Sequence, residues 1–145
     1  MPVAGDDLAL SYVIGRLERV VRRALNDRLR DHDLTVPAFT TLSVLRRRPG
    51  LSNAQLARRA LVTPQSMNEL IQRLLERGLI ERSVDPHHNR VLRTRLTGTG
   101  SELIARCEAD ALELEERMLA GVPAGDRERL LELLRTCVRN LGAGL

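Results

Sequence analysis

Apolar residues recur every three or four positions along most of this chain, the spacing of helices that bury one face. The first such run covers residues 6–31 and predicts a long helix, with Asp6 and Asp7 near its start to complement the helix dipole. A second run begins after Thr35, a predicted N-cap that is followed by Pro37 in the first turn. Two further runs follow Thr97, which is the predicted N-cap of a long helix, so the chain is predicted to be mainly helical.

The middle of the chain predicts two short helices joined by a tight turn. Ser52 and Gln55 have the spacing of a capping box, in which each side chain satisfies an unpaired amide of the first turn. Thr63 followed by Pro64 marks a second helix start. The apolar stripe of that second helix consists of Met67, Leu70, Ile71, Leu74 and Leu75.

A β-hairpin is predicted directly after these helices. Gly78 is placed to end the second helix, and residues 79–84 and 91–96 can run extended on either side of a polar, basic turn at 85–90. Two short helices followed by such a hairpin form a winged helix-turn-helix. In that arrangement the second helix enters the major groove of DNA and the wing lies against the backbone or minor groove.

The polar face of the second helix fits this interpretation. Asn and Gln side chains can bind an adenine edge, and Arg suits guanine or phosphate. The residues on this face are Gln65, Asn68, Glu69, Gln72 and Arg73. A solvated helix with no ligand is also polar on its outside, so this face alone leaves both interpretations open.

Composition narrows the function further. The chain has 145 residues, 43% of them hydrophobic and 29% charged, which suits one globular domain. Its aromatic residues are Tyr12 and Phe39, too few for a protein that stacks single-stranded bases. Residues 52–97 hold eight arginines against four acids, whereas residues 98–145 hold six against nine. A polyanion would therefore be steered to the predicted winged helix.

The order of these motifs resembles the MarR family of bacterial transcriptional regulators. The resemblance is carried by LSNAQLARRALVTPQSMNELIQRLLERGLIER, by the wing DPHHNR and by the LT that precedes a long helix, and it extends back through LTVPAFTTLSVLRRRPG. It implies a homodimer in which residues 1–34 and 98–145 form a helical dimerisation region. Residues 35–97 would form the winged helix-turn-helix DNA-binding region.

The resemblance implies a sequence-specific regulator, most often a ligand-responsive repressor, that binds an inverted repeat in double-stranded DNA. Candidate base-reading residues are Gln65, Ser66, Asn68 and Gln72, with Thr63 and Glu69 beside them. Candidate phosphate or groove contacts are Arg73, Arg90 and Arg93, with Asn89 on the wing. A small aromatic or phenolic effector is also implied, and the candidates for its pocket are Tyr12, Arg16 and His32.

Two other function classes are also compatible with the sequence. One is an architectural DNA-binding protein without a specific site, and the other is an adaptor whose winged helix binds protein. Enzyme activity is not expected, because there is no glycine-rich phosphate loop and no nucleophile with a plausible base. A cytoplasmic location is expected, because no segment is apolar enough to span a membrane and the N-terminus is acidic.

No metal or cofactor site is expected either. His87 and His88 lie near Asp85, but three potential ligands within one turn do not make a complete zinc site. Cys107 and Cys137 lie on apolar stripes, where a free cysteine is usually a small buried hydrophobe.

Three local features depart from the family or admit two interpretations. The family usually has an aspartate and an arginine where this chain has His88 and Asn89, so Arg90 lacks its usual brace and Asp85 is a candidate substitute. Leu61 stands in the turn where a glycine is common, at a cost of about 1 kcal/mol if the turn needs a positive φ. Arg46–Arg48 end a helix and are either solvated or in contact with DNA phosphate.

Overall fold

A computed structural model describes residues 9–142, which form six helices and one two-stranded antiparallel sheet. The elements are α1 (Leu10–Arg30), α2 (Val36–Arg47), α3 (Asn53–Ala60), α4 (Pro64–Glu76), β1 (Ile80–Val84), β2 (Leu92–Leu96), α5 (Gly98–Met118) and α6 (Ala124–Asn140). This order confirms the mainly α prediction with a β-hairpin wing. Asp6 and Asp7, predicted at the first helix start, lie outside the described residues.

Four helices begin at the predicted hydroxyl caps. Each cap side chain accepts a hydrogen bond from the backbone N–H three residues later, which satisfies one unpaired donor of the first turn. The caps are Thr35 of α2, Ser52 of α3, Thr63 of α4 and Thr97 of α5. Ser52 and Gln55 also form the complete capping box, since the Gln55 side chain accepts from the Ser52 backbone.

The hydrophobic core lies between α2, α3, α4 and the first half of α5, with one residue, Leu29, from the end of α1. Its largest fully buried apolar side chains are Leu29, Leu42, Leu45, Leu56, Met67, Ile71, Leu74, Ile104 and Cys107. α4 is therefore fixed by its apolar stripe, and its opposite face is left in solvent.

The wing is hydrogen-bonded to the connection between α2 and α3. β1 and β2 pair from Ile80 opposite Leu96 to Val84 opposite Leu92. Leu51 then pairs with buried Thr94, whose N–H donates to the Leu51 carbonyl at 3.0 Å. The wing is thus attached at its base to the chain that leads into α3.

The outer helices leave apolar side chains uncovered in one subunit. α6 has no buried residue, and the exposed aliphatic residues of α1 and α6 are Leu10, Val13, Ile14, Leu17, Val20, Leu130, Leu131, Leu133 and Leu134. The burial predicted for both cysteines is correct for Cys107 and wrong for Cys137. Cys137 is exposed because little of its own subunit packs against α6.

Within residues 9–142, no helix has both the length and the apolar character needed to cross a membrane.

Candidate nucleic-acid interface

α4 presents a continuous polar face to solvent. Thr63 caps the helix and Pro64 occupies its first turn, while the apolar stripe anchors the other side in the core. The residues exposed on the outer face are Gln65, Ser66, Asn68, Glu69, Gln72 and Arg73. Every candidate that the sequence placed on this helix face is therefore accessible to a ligand. Thr63 is exposed too, although its hydroxyl is already bonded to Ser66 as the helix cap.

The turn between α3 and α4 holds Leu61 in the left-handed conformation, with φ 54° and ψ 42°. The positive φ considered in the sequence analysis is thus present, and the side chain is 83% exposed. Leu61 donates its backbone N–H to Ala57 and ends α3. Because the Leu61 side chain contributes nothing to the core, the backbone strain at this residue is not offset by side-chain burial.

The structure adds two residues that the sequence analysis missed, Arg82 of β1 and Asn53 at the start of α3. Arg82 Nη2 donates to Asn53 Oδ1 at 2.5 Å, and Asn53 Nδ2 donates to Asn68 Oδ1 at 2.6 Å. Burial lowers the pKa of Arg82 from its ordinary value, but an arginine remains protonated in proteins. A signal was present in the sequence, because a strand alternates faces and Arg82 lies two residues after the apolar Ile80.

The base of the wing is held by an ion pair between Arg93 and Asp85. The buried Asp85 carboxylate accepts from the His87 backbone N–H at 2.7 Å and from Arg93 Nε at 2.6 Å. These two hydrogen bonds, the one from His87 foremost, hold the pKa of Asp85 below its ordinary value. Arg93 Nη1 also donates to the Gly50 carbonyl at 3.2 Å and to Gln55 Oε1 at 3.4 Å.

This arrangement corrects the expected brace. Asp85 pairs with Arg93 and not with Arg90, since Arg93 lies beside it on β2. Arg93, predicted as a phosphate or groove contact, is therefore engaged inside its own subunit. Arg90 is exposed at the wing tip beside exposed Asn89 and has no hydrogen-bond partner among residues 9–142. Across the same residues, no three His, Cys, Asp or Glu side chains are grouped so that they could hold a metal ion.

Two of the three arginines at the end of α2 form ion pairs with α5. Arg46 and Arg47 both bind Glu108 of α5, at 2.5 Å and 3.2 Å. The two arginine side chains are still 42% and 69% exposed, so the solvated alternative agrees with the structure, and contact with DNA phosphate stays a prediction. Arg48 is exposed.

The three candidates for an effector pocket do not meet within one subunit. Tyr12 and Arg16 are exposed near the start of α1, whereas His32 follows its end. At a rise of 1.5 Å per residue, Tyr12 and His32 are about 30 Å apart. His32 binds Asp110 of α5 through Nε2 at 2.9 Å. One subunit therefore cannot place all three around one small molecule.

A helix-turn-helix with an exposed polar second helix and a basic wing defines a winged-helix protein of the DNA-binding type. The model of the MarR family matches residues 32–90. The HTH-type transcriptional repressor Rv2887 of Mycobacterium tuberculosis (strain ATCC 25618 / H37Rv) is 37% identical over 132 residues, which cover 89% of this chain and 95% of the relative. The chain belongs to the MarR family, a family of winged-helix transcriptional regulators.

Solved structures agree with this assignment. The structure of Mycobacterium tuberculosis Rv2887 in complex with DNA matches with a TM-score of 0.75 at 35% identity, covering 88% of this chain and 98% of that one. The complex of Rv2887 with salicylic acid matches with a TM-score of 0.73 at 35% identity, covering 91% and 98%. A MarR family regulator from Silicibacter pomeroyi shares the fold, with a TM-score of 0.82 at 23% identity, covering 91% and 89%.

Proposed function

We propose that this chain is a homodimeric, ligand-responsive transcriptional repressor that binds an inverted repeat in double-stranded DNA in the cytoplasm. The observation that carries the proposal is the exposed polar face of α4, which is fixed in place by its buried stripe. The same architecture occurs in Rv2887, a repressor whose structure is known in complex with DNA. Binding requires no enzyme chemistry, and we propose none.

Dimerisation is supported by the apolar residues that α1 and α6 leave exposed. A helix that buries no residue in its own subunit is marginal in water unless another surface covers it. We therefore assign residues 1–34 and 98–145 to the dimerisation region and residues 35–97 to the DNA-binding region. A second copy of the chain would cover the exposed stripes of α1 and α6.

The candidate contacts divide into three roles. Gln65, Ser66, Asn68 and Gln72 face outward from α4 and are proposed to read base edges, with Thr63 and Glu69 at the rim of the same face. Arg73 and Arg90 are exposed and are proposed to bind phosphate or enter the minor groove, with Asn89 beside Arg90. Arg93 is proposed to position the wing rather than to touch DNA, since it is bound to Asp85 and to the Gly50 carbonyl.

A small aromatic acid is the proposed effector class. Rv2887 has been crystallised with salicylic acid and with p-aminosalicylic acid. Such a molecule lowers DNA affinity if it binds the free dimer more tightly than the DNA-bound dimer. Tyr12, Arg16 and His32 stay as candidates only if the two subunits together form the pocket.

The proposal is tested by recovering bound fragments from the sheared DNA of the source genome and footprinting the best of them. We expect a protected inverted repeat with half-sites about one helical turn apart, bound by a dimer whose mass is measured by light scattering. Salicylate is expected to weaken this complex. Recovery without a shared site would favour an architectural protein, and absence of salt-dependent DNA binding would favour a protein-binding adaptor.

A further inference from the structure

We infer that Arg82, Asn53 and Asn68 form a hydrogen-bond relay that turns the amide nitrogen of Asn68 toward DNA and so selects base edges that carry acceptors. The relay consists of the bonds from Arg82 Nη2 to Asn53 Oδ1 and from Asn53 Nδ2 to Asn68 Oδ1. The inference rests on the proposed function, because it assigns a base preference to α4, the proposed recognition helix.

The direction of the relay follows from the chemistry of its first member. A guanidinium has five N–H donors and no acceptor, so Asn53 must present its oxygen to Arg82. Its NH2 group is then the part that can face Asn68, and a donor there requires the Asn68 oxygen as acceptor. The polarity of both amides is thereby set by Arg82, although an isolated asparagine could adopt either orientation.

The elements that carry the relay are fixed in the fold. Arg82 is half-buried on the inward face of β1, and its Nε is buried without a hydrogen-bond partner among residues 9–142. Asn53 is the first residue of α3 and lies between Ser52 and Gln55, which form the capping box. Asn68 lies on α4, whose buried stripe fixes the helix. Rotation of the Asn53 amide would place two donors opposite each other at Arg82.

The free end of the relay opens into a surface pocket beside the recognition helix. This pocket is lined by Asn53, Asn68, Glu69, Gln72 and Arg82. The Asn68 oxygen is turned toward Asn53, so its Nδ2 is the group left for a ligand. A donor in the major groove can bind guanine O6 or N7, thymine O4 or adenine N7, whereas cytosine offers the N4 amino donor. The relay therefore predicts that cytosine is rejected at the position that Asn68 reads.

The substitution Asn53→Asp tests this rule with almost no change in shape. A carboxylate accepts from Arg82 as before, but it can also only accept from Asn68, which must then turn its NH2 inward and its oxygen toward DNA. Folding is expected to be retained, because an aspartate in the first turn of α3 complements the helix dipole. Any general loss of affinity from the added charge applies to all duplexes alike, so the ratio of affinities is the quantity to measure.

The experiment selects bound duplexes from a random library for the wild-type dimer, Asn68→Ala and Asn53→Asp, followed by titration of matched duplexes. The position that Asn68 reads is the one whose preference disappears in Asn68→Ala. There the wild type is expected to disfavour cytosine relative to thymine or guanine by about tenfold. Asn53→Asp is expected to reverse this preference by a similar factor, since the Asn68 oxygen accepts from the cytosine amino group.

Three further variants keep the result interpretable. Asn26→Asp adds the same charge on the exposed face of α1 and is expected to leave the base preference unchanged. Arg82→Lys keeps a donor-only side chain and should keep the wild-type preference, whereas Arg82→Met removes the donor and should relax it. Arg82→Met also serves if Asn53→Asp does not fold.

The outcomes separate the inference from the proposed function. A wild-type motif that is unchanged at every position in both Asn53→Asp and Arg82→Met would overturn the relay while leaving the repressor intact. A motif unchanged by Asn68→Ala would overturn it as well, because Asn68 would then read no base. If the wild type enriches no motif, the sequence-specific regulator itself is refuted, and the relay with it.

Discussion

Gly100 lies where α5 begins to pack against the segment that leads from the recognition helix into the wing. A Cβ added at this buried residue would lie 1.9 Å from the carbonyl oxygen of Leu79 and 2.8 Å from its carbonyl carbon. Ordinary contact begins near 3.4 Å, so the two backbone segments would have to separate by about 1.5 Å. The same Leu79 oxygen accepts the Thr97 N–H at 3.1 Å, and that bond would be strained by the movement.

We expect Gly100→Ala to destabilise the protein by about 2 kcal/mol. Overpacking costs about 1–3 kcal/mol, a weakened backbone hydrogen bond adds about 1 kcal/mol, and the better helix propensity of alanine returns up to about 1 kcal/mol. Gly98→Ala is the matched control, because it makes the same change two residues earlier on α5 and its Cβ would meet nothing within 4 Å. That control should be neutral or slightly stabilising.

The measurement is urea denaturation followed by circular dichroism, at one protein concentration because a dimer gains apparent stability with concentration. A loss of about 2 kcal/mol corresponds to a decrease in the melting temperature of roughly 4–8 °C. If Gly100→Ala is as stable as Gly98→Ala, the close approach of α5 to Leu79 is not present in solution.

Three other predictions concern the turn, the wing base and the wing tip. Leu61→Gly should stabilise the protein by up to about 0.5 kcal/mol, because relief of about 1 kcal/mol of left-handed strain is partly offset by about 0.5–1 kcal/mol of added chain entropy; Leu61→Ala should give no such gain in the same denaturation assay. Asp85→Asn should destabilise the protein at pH 7. Because the folded pKa of Asp85 lies below its ordinary value of 3.8, its contribution is complete above that value and disappears as the pH falls through the folded pKa. The stability difference between wild type and Asp85→Asn should therefore shrink in denaturation series taken below about pH 4, and a difference independent of pH would contradict the ion pair with Arg93. Arg90→Ala should weaken binding to all sequences and flatten the plot of log affinity against log salt by about one unit per subunit, measured by fluorescence anisotropy; an unchanged slope would place the wing tip away from DNA.

Local signals in the sequence were sufficient for most of the fold. A hydroxyl cap and the amide that it satisfies are three residues apart, so Thr35, Ser52, Thr63 and Thr97 could each be recognised without knowledge of the rest of the chain. The apolar stripe of α4 likewise determined which side chains of that helix face outward.

Ion pairs between distant segments could not be predicted in the same way. Glu108 binds Arg46 and Arg47, and Asp110 binds His32, across more than sixty residues of chain. The hydrophobic periodicity of one sequence does not indicate which acidic side chain pairs with which basic one. The apolar stripe that includes Cys137 was also recognised correctly, but a stripe does not reveal whether its own subunit or another surface covers it.

The attachment of the wing to α3 has a consequence for how an operator would be measured. Arg93 joins the wing to the Gly50 carbonyl and to the Gln55 side chain, and Leu51 pairs with Thr94 of β2. The helices α3 and α4 and the wing of one subunit are therefore expected to move as one rigid body. A ligand would then change the distance between the two DNA-binding regions of the dimer and not the conformation of either. One base pair inserted between half-sites moves them by about 3.4 Å and rotates them by about 35° around the DNA axis. For such a dimer, the number of base pairs between the half-sites would determine operator affinity as strongly as the base sequence of the half-sites.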